Sequence, residues 1–257
     1  MREEESSMNG SITSQEGSHP AWQRAFAQFS EAHGAQALED CLARNAARGM
    51  RRPDADGGDY AVENEQEVIR LLLEGPGPKT ILETERLTLR EMTRSDLPAL
   101  KAILQDEITM TAYEHAFSDA EVDQWLERQQ LRYARYGFGL WAVLDKASGE
   151  MIGQCGLTMQ DAGGREALEI GYLFRRDRWH QGYATEAARA CKYYAFEVLE
   201  ADEVCSIIRD TNLASQAVPC ARPWMNVRGF ERTLTRGLSP FGFCLWEGKI
   251  CGFYRKK

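Results

Sequence analysis

The sequence predicts an α/β fold, a mixed and mostly antiparallel central sheet with flanking helices. Three observations predict it. Residues 140–145 (LWAVLD), 151–159 (MIGQCGLTM) and 167–174 (ALEIGYLF) are apolar runs of strand length, joined by the turn sequences KASG and DAGGRE. Such short connections make them antiparallel neighbours. Residues 185–199 (TEAARACKYYAFEVL) read as a helix set between the strand-like runs 167–174 and 204–210 (VCSIIRD). A strand–helix–strand order requires a crossover, which makes those two strands parallel. Two amphipathic helical segments precede the hairpins, so the order is β-α-α-β-β-β-α-β.

Each element carries its own signal. RLTLREM (86–92) alternates apolar and polar residues, as a half-buried strand does. SDLPALKAILQ (95–105) reads as a helix capped by Ser95, with Pro98 in its first turn, where a missing N–H costs nothing. SDAEVDQWLERQQLRYARYG (118–137) opens with a capping box, Ser118 with Glu121, and stops at Gly137. After VCSIIRD, Asn212 and Ser215 suit the cap of a further helix starting near Leu213.

Upstream of residue 80 the pattern is looser. Residues 1–18 are polar, acidic and rich in Ser and Gly, a composition that stays disordered. Residues 20–48 place Trp22, Phe26, Phe29, Ala37 and Leu38 at helical spacing. RGMRRPDADGGD (48–59) has the composition of a linker, and ENEQEVIRLLLEG (63–75) reads as a short helix stopped by Gly75. The expected organisation is an N-terminal extension over 1–79 and a domain over 80–257.

With 43% hydrophobic and 27% charged residues, the composition is that of an ordinary globular protein. The net charge of −8 argues against a nucleic-acid partner. It suits a cationic substrate, or simply keeps the surface soluble. Seven cysteines, an odd number with no CxxC pair, indicate neither a disulfide framework nor a zinc site. Four histidines form no metal motif, and His180 has no second ligand at metal spacing, so no metal is expected. The segment MREEESSMNGSITSQEGS lacks the apolar core of a signal peptide, and no apolar run approaches the roughly 20 residues of a membrane span. The expectation is a cytoplasmic monomer or homodimer with no membrane partner.

The stretch RWHQGYATEA (178–187) lies between a strand and a helix. A helix N-terminus leaves about four amides unpaired and carries roughly half a positive charge. Gly182 and Ala184 let the backbone approach an anion closely. Neither GxxxxGK[ST] nor GxGxxG after a strand is present, so the usual nucleotide loops are excluded.

Residues 167–215, together with TERLTLREMTRSDLPAL from Thr84, resemble the GCN5-related N-acetyltransferase (GNAT) superfamily, and within it the branch that includes ribosomal-protein N-terminal acetyltransferases. The resemblance runs from about Thr84 to about Val218. It implies a GNAT-like acyl-CoA N-acyltransferase fold and acetyl-CoA as co-substrate. The family loop is Gln/Arg-x-x-Gly-x-Gly/Ala, matched here by Trp179, His180, Gln181, Gly182, Tyr183 and Ala184, with Thr185 opening the helix. Trp179 departs from the first position, but backbone amides do the binding of pyrophosphate. By the same resemblance Gly171, Tyr172 and Leu173 pair through their backbone with the pantetheine arm, which acts as a pseudo-strand where two parallel strands splay. Asn212 and Ser215 match the family's Asn-x-x-Ser beside that arm.

The implied reaction is acetyl transfer from a thioester to a primary amine, either a protein N-terminus or a small amine. The amine must lose a proton, and a placed base is worth roughly 10²–10⁴ in rate. Glu169 is the candidate base, on one strand face with Gly171 and Leu173 and opposite Leu168 and Ile170. An ordinary Glu titrates near about 4.3, so burial or an ordered water is needed; otherwise Glu169 is an exposed strand carboxylate. A backbone N–H of strand 167–174 suits the thioester oxygen. No Tyr occurs in 213–230, so no general acid is assigned. In YEHAF (113–117), Glu114 or His115 would hold a cationic acceptor, unless both are merely loop charges.

After Val218 the resemblance stops. Pro219 and Pro223 would each break a helix interior, at about 3 kcal/mol. The remainder, 219–257, is atypical, as a local frameshift would leave it, although FGFCLW, a turn at Glu247-Gly248 and KICGFY read as a hairpin. The alternative function is a weak or inactive acetyl-CoA-binding sensor.

Overall fold

The computed structural model describes residues 20–50, 64–75, 77–113, 115–161, 166–209, 212–220, 230–233, 244–246 and 249–256. Residues 1–18, most of the linker, Glu114, most of the DAGGRE turn, Pro223 and the turn at Glu247-Gly248 lie outside the described residues.

The chain divides into two compact units between Leu72 and Leu73. In the first, the helical region expected over 20–48 is two helices, α1 (Pro20–His33) and α2 (Ala35–Ala47). They break at Gly34, whose φ of 88° is left-handed and suits glycine. Trp22, Phe29, Leu38 and Cys41 are buried. Buried Asn45 donates its Nδ2 to the carbonyls of Leu71 and Leu72, both at 3.1 Å. Helix α3 (Glu65–Glu74) spans the division.

The second unit is built on a mixed sheet. Its strands are β1 (Thr80–Glu83), β2 (Leu87–Arg90), β3 (Leu140–Asp145), β4 (Met151–Asp161), β5 (Glu166–Phe174), β6 (Glu203–Arg209), β7 (Phe230–Thr233), β8 (Cys244–Trp246) and β9 (Lys249–Lys256). They lie in the order β1-β2-β3-β4-β5-β6-β9-β7, with β8 paired to β9. Every described pairing is antiparallel except β5 with β6, the pair that the crossover rule made parallel. Strands β1 and β7 carry no clear sequence signal, being four residues each. The hairpin read in the tail is present: β8 and β9 pair from Cys244↔Cys251 to Trp246↔Lys249. Strand β9 then pairs along the whole of β6, from Glu203↔Arg255 to Arg209↔Lys249.

The helices are α4 (Leu97–Leu104), α5 (Asp119–Tyr136), α6 (Tyr183–Glu197) and α7 (Leu213–Cys220). Helix α5 has both bonds of its capping box and ends on left-handed Gly137. Helix α4 corrects one expectation. Ser95 is not its cap; a 3-10 turn, Arg94–Asp96, leads into it from Thr93. The Asp96 carboxylate reaches back to the Thr93 amide at 2.8 Å and is gripped by the Arg90 fork at 2.7 and 2.8 Å. The Ser95 hydroxyl lies instead 2.7 Å from Thr93 Oγ1, and Thr93 with Asp96 makes the capping box of the turn. Helix α6 also starts two residues earlier than its sequence pattern, at Tyr183.

Strand alternation sends apolar side chains to both faces of the sheet. On one face Leu87, Leu89, Val143, Ile152, Ile170 and Phe174 pack with Ala187, Ala188, Cys191 and Phe196 of α6. On the other, Met92, Ala142 and Met151 pack with Leu100 and Leu104 of α4 and Val122 and Leu126 of α5. Among the described residues no helix is long and apolar enough to cross a membrane.

Candidate functional site

Strands β5 and β6 share one parallel pair, Glu169↔Cys205, and then part. The gap opens into a cleft of about 880 Å³. One wall is Gly171–Phe174 of β5; the other includes Ile207, Ile208, Asn212 and Ser215. One end holds Trp179, His180 and Gly182–Thr185, and Tyr113, Gln160, Asp161 and Glu169 also line the cleft.

Backbone direction along β5 follows from two bonds. The Ser206 hydroxyl donates to Ile170 O at 3.2 Å on the β6 side, and Arg175 N donates to Ile152 O at 2.9 Å on the β4 side. Period-two alternation therefore turns the N–H and C=O of Tyr172 toward the gap. The same alternation turns the backbone of Gly171 and Leu173 toward β4, with which they pair at Gly156 and Gln154. Of the three residues expected to offer backbone groups to a ligand, Tyr172 is the one so oriented, while Gly171 and Leu173 line the cleft.

At the head of α6 the loop is held by its own side chains. Trp179 Nε1 donates to Phe174 O, and Gln181 Nε2 to Asp177 O, each at 2.9 Å. His180 and Gly182 are both left-handed, with φ of 59° and 81°. The first α6 amide with a protein acceptor is that of Glu186, on Gly182 O at 3.0 Å. Among the described residues, the amides of Gly182, Tyr183, Ala184 and Thr185 have none. Four unpaired donors at the positive end of a helix dipole form a seat for an anion.

Glu169 lies beside Thr158 in register across β4 and β5. Thr158 Oγ1 donates to Glu169 Oε2 at 3.2 Å, and Ile207 N to Oε1 at 3.3 Å. Desolvation raises the Glu169 carboxyl above its ordinary value of 4.5, against the hydrogen bonds from Thr158, Ile207 and Gln160 and the charge of Arg132. The carboxylate is therefore not a solvated surface group. Tyr113, 38% exposed, faces the same space.

Asn212 caps α7: its Oδ1 accepts from Ser215 N at 3.0 Å. Both residues also line the cleft, so the capping role and the cleft position coexist. His115 is placed differently from Glu169. It is exposed, pairs with Glu121 at 2.9 Å beside the α5 cap, and does not line the cleft. Among the described residues of YEHAF, the one that reaches the cleft is Tyr113, which sequence reading passed over because no periodicity marks an inward loop position. Thr158 and Gln160 were also missed; only the hairpin register places them next to Glu169. Among the described residues no group of three or more His, Cys, Asp or Glu side chains is arranged to hold a metal.

The family described as the acetyltransferase (GNAT) domain matches residues 86–219. The uncharacterized protein YkkB of Bacillus subtilis is 38% identical over 138 residues, covering 53% of this chain and 80% of that protein. The uncharacterized N-acetyltransferase p20 of Bacillus licheniformis is 31% identical over 184 residues, covering 66% of this chain and 98% of that one. Among solved structures, RimL, a ribosomal alpha-N-protein acetyltransferase in complex with coenzyme A, matches with a TM-score of 0.52 at 18% identity, covering 69% of this chain and 98% of that one. This last likeness is one of fold.

Proposed function

The chain belongs to the GNAT acetyltransferase family, and from that premise we propose that it carries the acetyl group of acetyl-CoA directly to a primary amine, a small molecule or a protein N-terminus. One observation carries this reading: the gap between β5 and β6 runs into four amides, of Gly182–Thr185, with no protein acceptor among the described residues. RimL, which shares the fold, is named as a coenzyme A complex. In this reading the amides hold the pyrophosphate and the gap takes the pantetheine arm. The N–H and C=O of Tyr172 supply strand-like bonds to that arm, between the walls at Gly171, Leu173, Asn212 and Ser215.

Glu169 is the base of the reaction. It accepts a proton from the acceptor ammonium, directly or through one water, and frees the lone pair on nitrogen. That nitrogen forms the new N–C bond to the thioester carbon, the C–S bond breaks, and the departing sulfur takes the second proton from nitrogen, directly or through water, to leave as the thiol of coenzyme A. A base in a low-dielectric pocket and already hydrogen-bonded needs no reorganisation to act. The acceptor approaches past Tyr113, Gln160 and Asp161. Residues 80–257 form the transferase domain and 1–79 an appended segment.

A second reading, a sensor that binds acetyl-CoA without turnover, is favoured by the absence of Tyr from 213–230. Coenzyme A release measured against a panel of amines decides between them. Turnover with any amine supports the transferase. Binding of acetyl-CoA with no turnover supports the sensor, and no binding at millimolar concentration removes both.

A further inference from the structure

Arg86 lies at the turn between β1 and β2, about a hundred positions before the loop that it touches. Its Nη1 donates to Gln181 O at 3.0 Å. Its guanidinium carbon lies 4.4 Å from the centroid of the Tyr183 ring. Its Nε and Nη2 grip Glu186 Oε2 at 2.7 and 2.6 Å, and its own amide donates to Glu186 Oε1 at 3.0 Å. Thr84 adds a hydroxyl bond to the same Oε1 at 2.6 Å. Burial alone would raise Glu186, but the bonds from Thr84 and Arg86 outweigh it and hold the carboxyl below its ordinary value. Glu186 thus stays charged, 13% exposed, and fixes the fork that reaches the loop.

The consequence is geometric. A trans peptide is planar, and its N–H points opposite its C=O. The carbonyl of Gln181 and the amide of Gly182 belong to one such unit. Arg86 holds the carbonyl, so it also sets the direction of the Gly182 amide. Gly182 lines the cleft and Gln181 does not, as that orientation requires. At Gly182 the backbone is left-handed, with φ of 81°, a region glycine enters without a Cβ penalty but also leaves easily. An outside clamp is what such a position needs. Arg86 Nη2 lies 3.5 Å from where a Gly182 Cβ would be.

We propose that Arg86 is the positioning residue of this loop: its guanidinium fixes the Gln181–Gly182 peptide so that the Gly182 amide faces the cleft before any pyrophosphate arrives. The inference rests on reading that loop as the pyrophosphate seat. The geometry calls for arginine, because one planar fork must reach a carboxylate, a carbonyl and an aromatic face together, which a lysine ammonium cannot do.

The test compares calorimetric affinity for coenzyme A with that for pantetheine, which lacks the pyrophosphate, in the full chain. The parent protein is expected to prefer coenzyme A. Arg86→Met is expected to weaken coenzyme A at least tenfold while changing pantetheine less than twofold, with Arg86→Lys losing several-fold. A preference for coenzyme A over pantetheine as large in folded Arg86→Met as in the parent overturns the proposal. Should Arg86→Met not fold, Arg86→Lys answers alone: an unchanged ratio overturns the proposal and a reduced one supports it. If the parent protein binds both compounds equally, the reading of the loop fails, and the inference with it.

Discussion

The Tyr172 hydroxyl donates to the carbonyl oxygen of Ser215 at 2.7 Å, joining β5 to the middle of α7. In an α-helix that carbonyl would receive the amide of the residue four positions on. Here that residue is Pro219, which has no N–H. The tyrosine fills the vacancy that the proline leaves, and α7 reaches Cys220 despite Pro219. Tyr172→Phe removes the donor and leaves the acceptor half-buried and unpaired, which costs about 1–3 kcal/mol. The expected result is a lower urea midpoint. Restoring residue 219 to an amide-bearing type, Pro219→Ala, should recover part of the loss. Equal stabilities of the parent and Tyr172→Phe would show that the helix end needs no such partner.

Glu169→Gln separates catalysis from stability. As the proposed base, Glu169 should give a roughly 10²–10⁴-fold fall in kcat when replaced. The stability sign is opposite. Burial raises its folded pKa above 4.5, so the stabilisation linked to the protonated form is complete below 4.5 and is lost as pH rises through the folded value. At neutral pH the ionised group opposes folding. Glu169→Gln should therefore raise Tm at pH 7 and change it little at pH 4. In the parent enzyme kcat/KM should fall with acid through an apparent pKa above 4.5, and this limb should disappear in the variant.

The features legible in sequence are those written within a few residues. Ser118, Glu121 and Gly137 bound α5 because a capping box and a left-handed stop are local devices. The loop 179–184 is legible for the same reason: glycine and alanine before a helix describe its backbone directly. What stays hidden depends on register or distance. Thr158 meets Glu169 only through the β4–β5 pairing, and Arg86 meets Glu186 across a hundred residues. Ser95 lost the cap to Thr93 because the Asp96 carboxylate, held by Arg90 on a different element, completes a capping box on the Thr93 amide. Tyr113 rather than His115 reaches the cleft because a loop has no periodicity to announce its inward side.

Gly156, on β4, tests how closely β3 approaches. A Cβ there would lie 2.0 Å from Gly139 O and 2.9 Å from Leu140 Cα. Both are backbone atoms and cannot rotate away. Gly156→Ala must therefore separate the strands, an overpacking cost of about 1–3 kcal/mol or more. The measurement is the urea midpoint, with a lower value expected. Gly156 also pairs with Gly171 of the cleft wall, so acetyl-CoA KM should rise in whatever fraction folds.

Gly182 and His180 share a backbone region but should respond in opposite ways. A Cβ on Gly182 would meet only the Arg86 guanidinium, at an ordinary 3.5 Å, so space does not forbid alanine. The penalty comes from φ, about 1–2 kcal/mol for a left-handed L-residue. The loop can escape that strain by turning the Gln181–Gly182 peptide, which would carry the Gly182 amide away from the cleft. Gly182→Ala is therefore expected to raise the acetyl-CoA KM about tenfold, with kcat at saturation nearly unchanged. His180 already bears the left-handed strain, with φ of 59°. His180→Gly relieves about 1–2 kcal/mol of it but adds roughly 0.4–1 kcal/mol of unfolded-state entropy, so stability should change by less than the Gly182 variant and in the favourable direction. Steady-state kinetics with thermal melts on both variants check the pair. A Gly182→Ala enzyme with parental KM would mean that the cofactor does not depend on this amide.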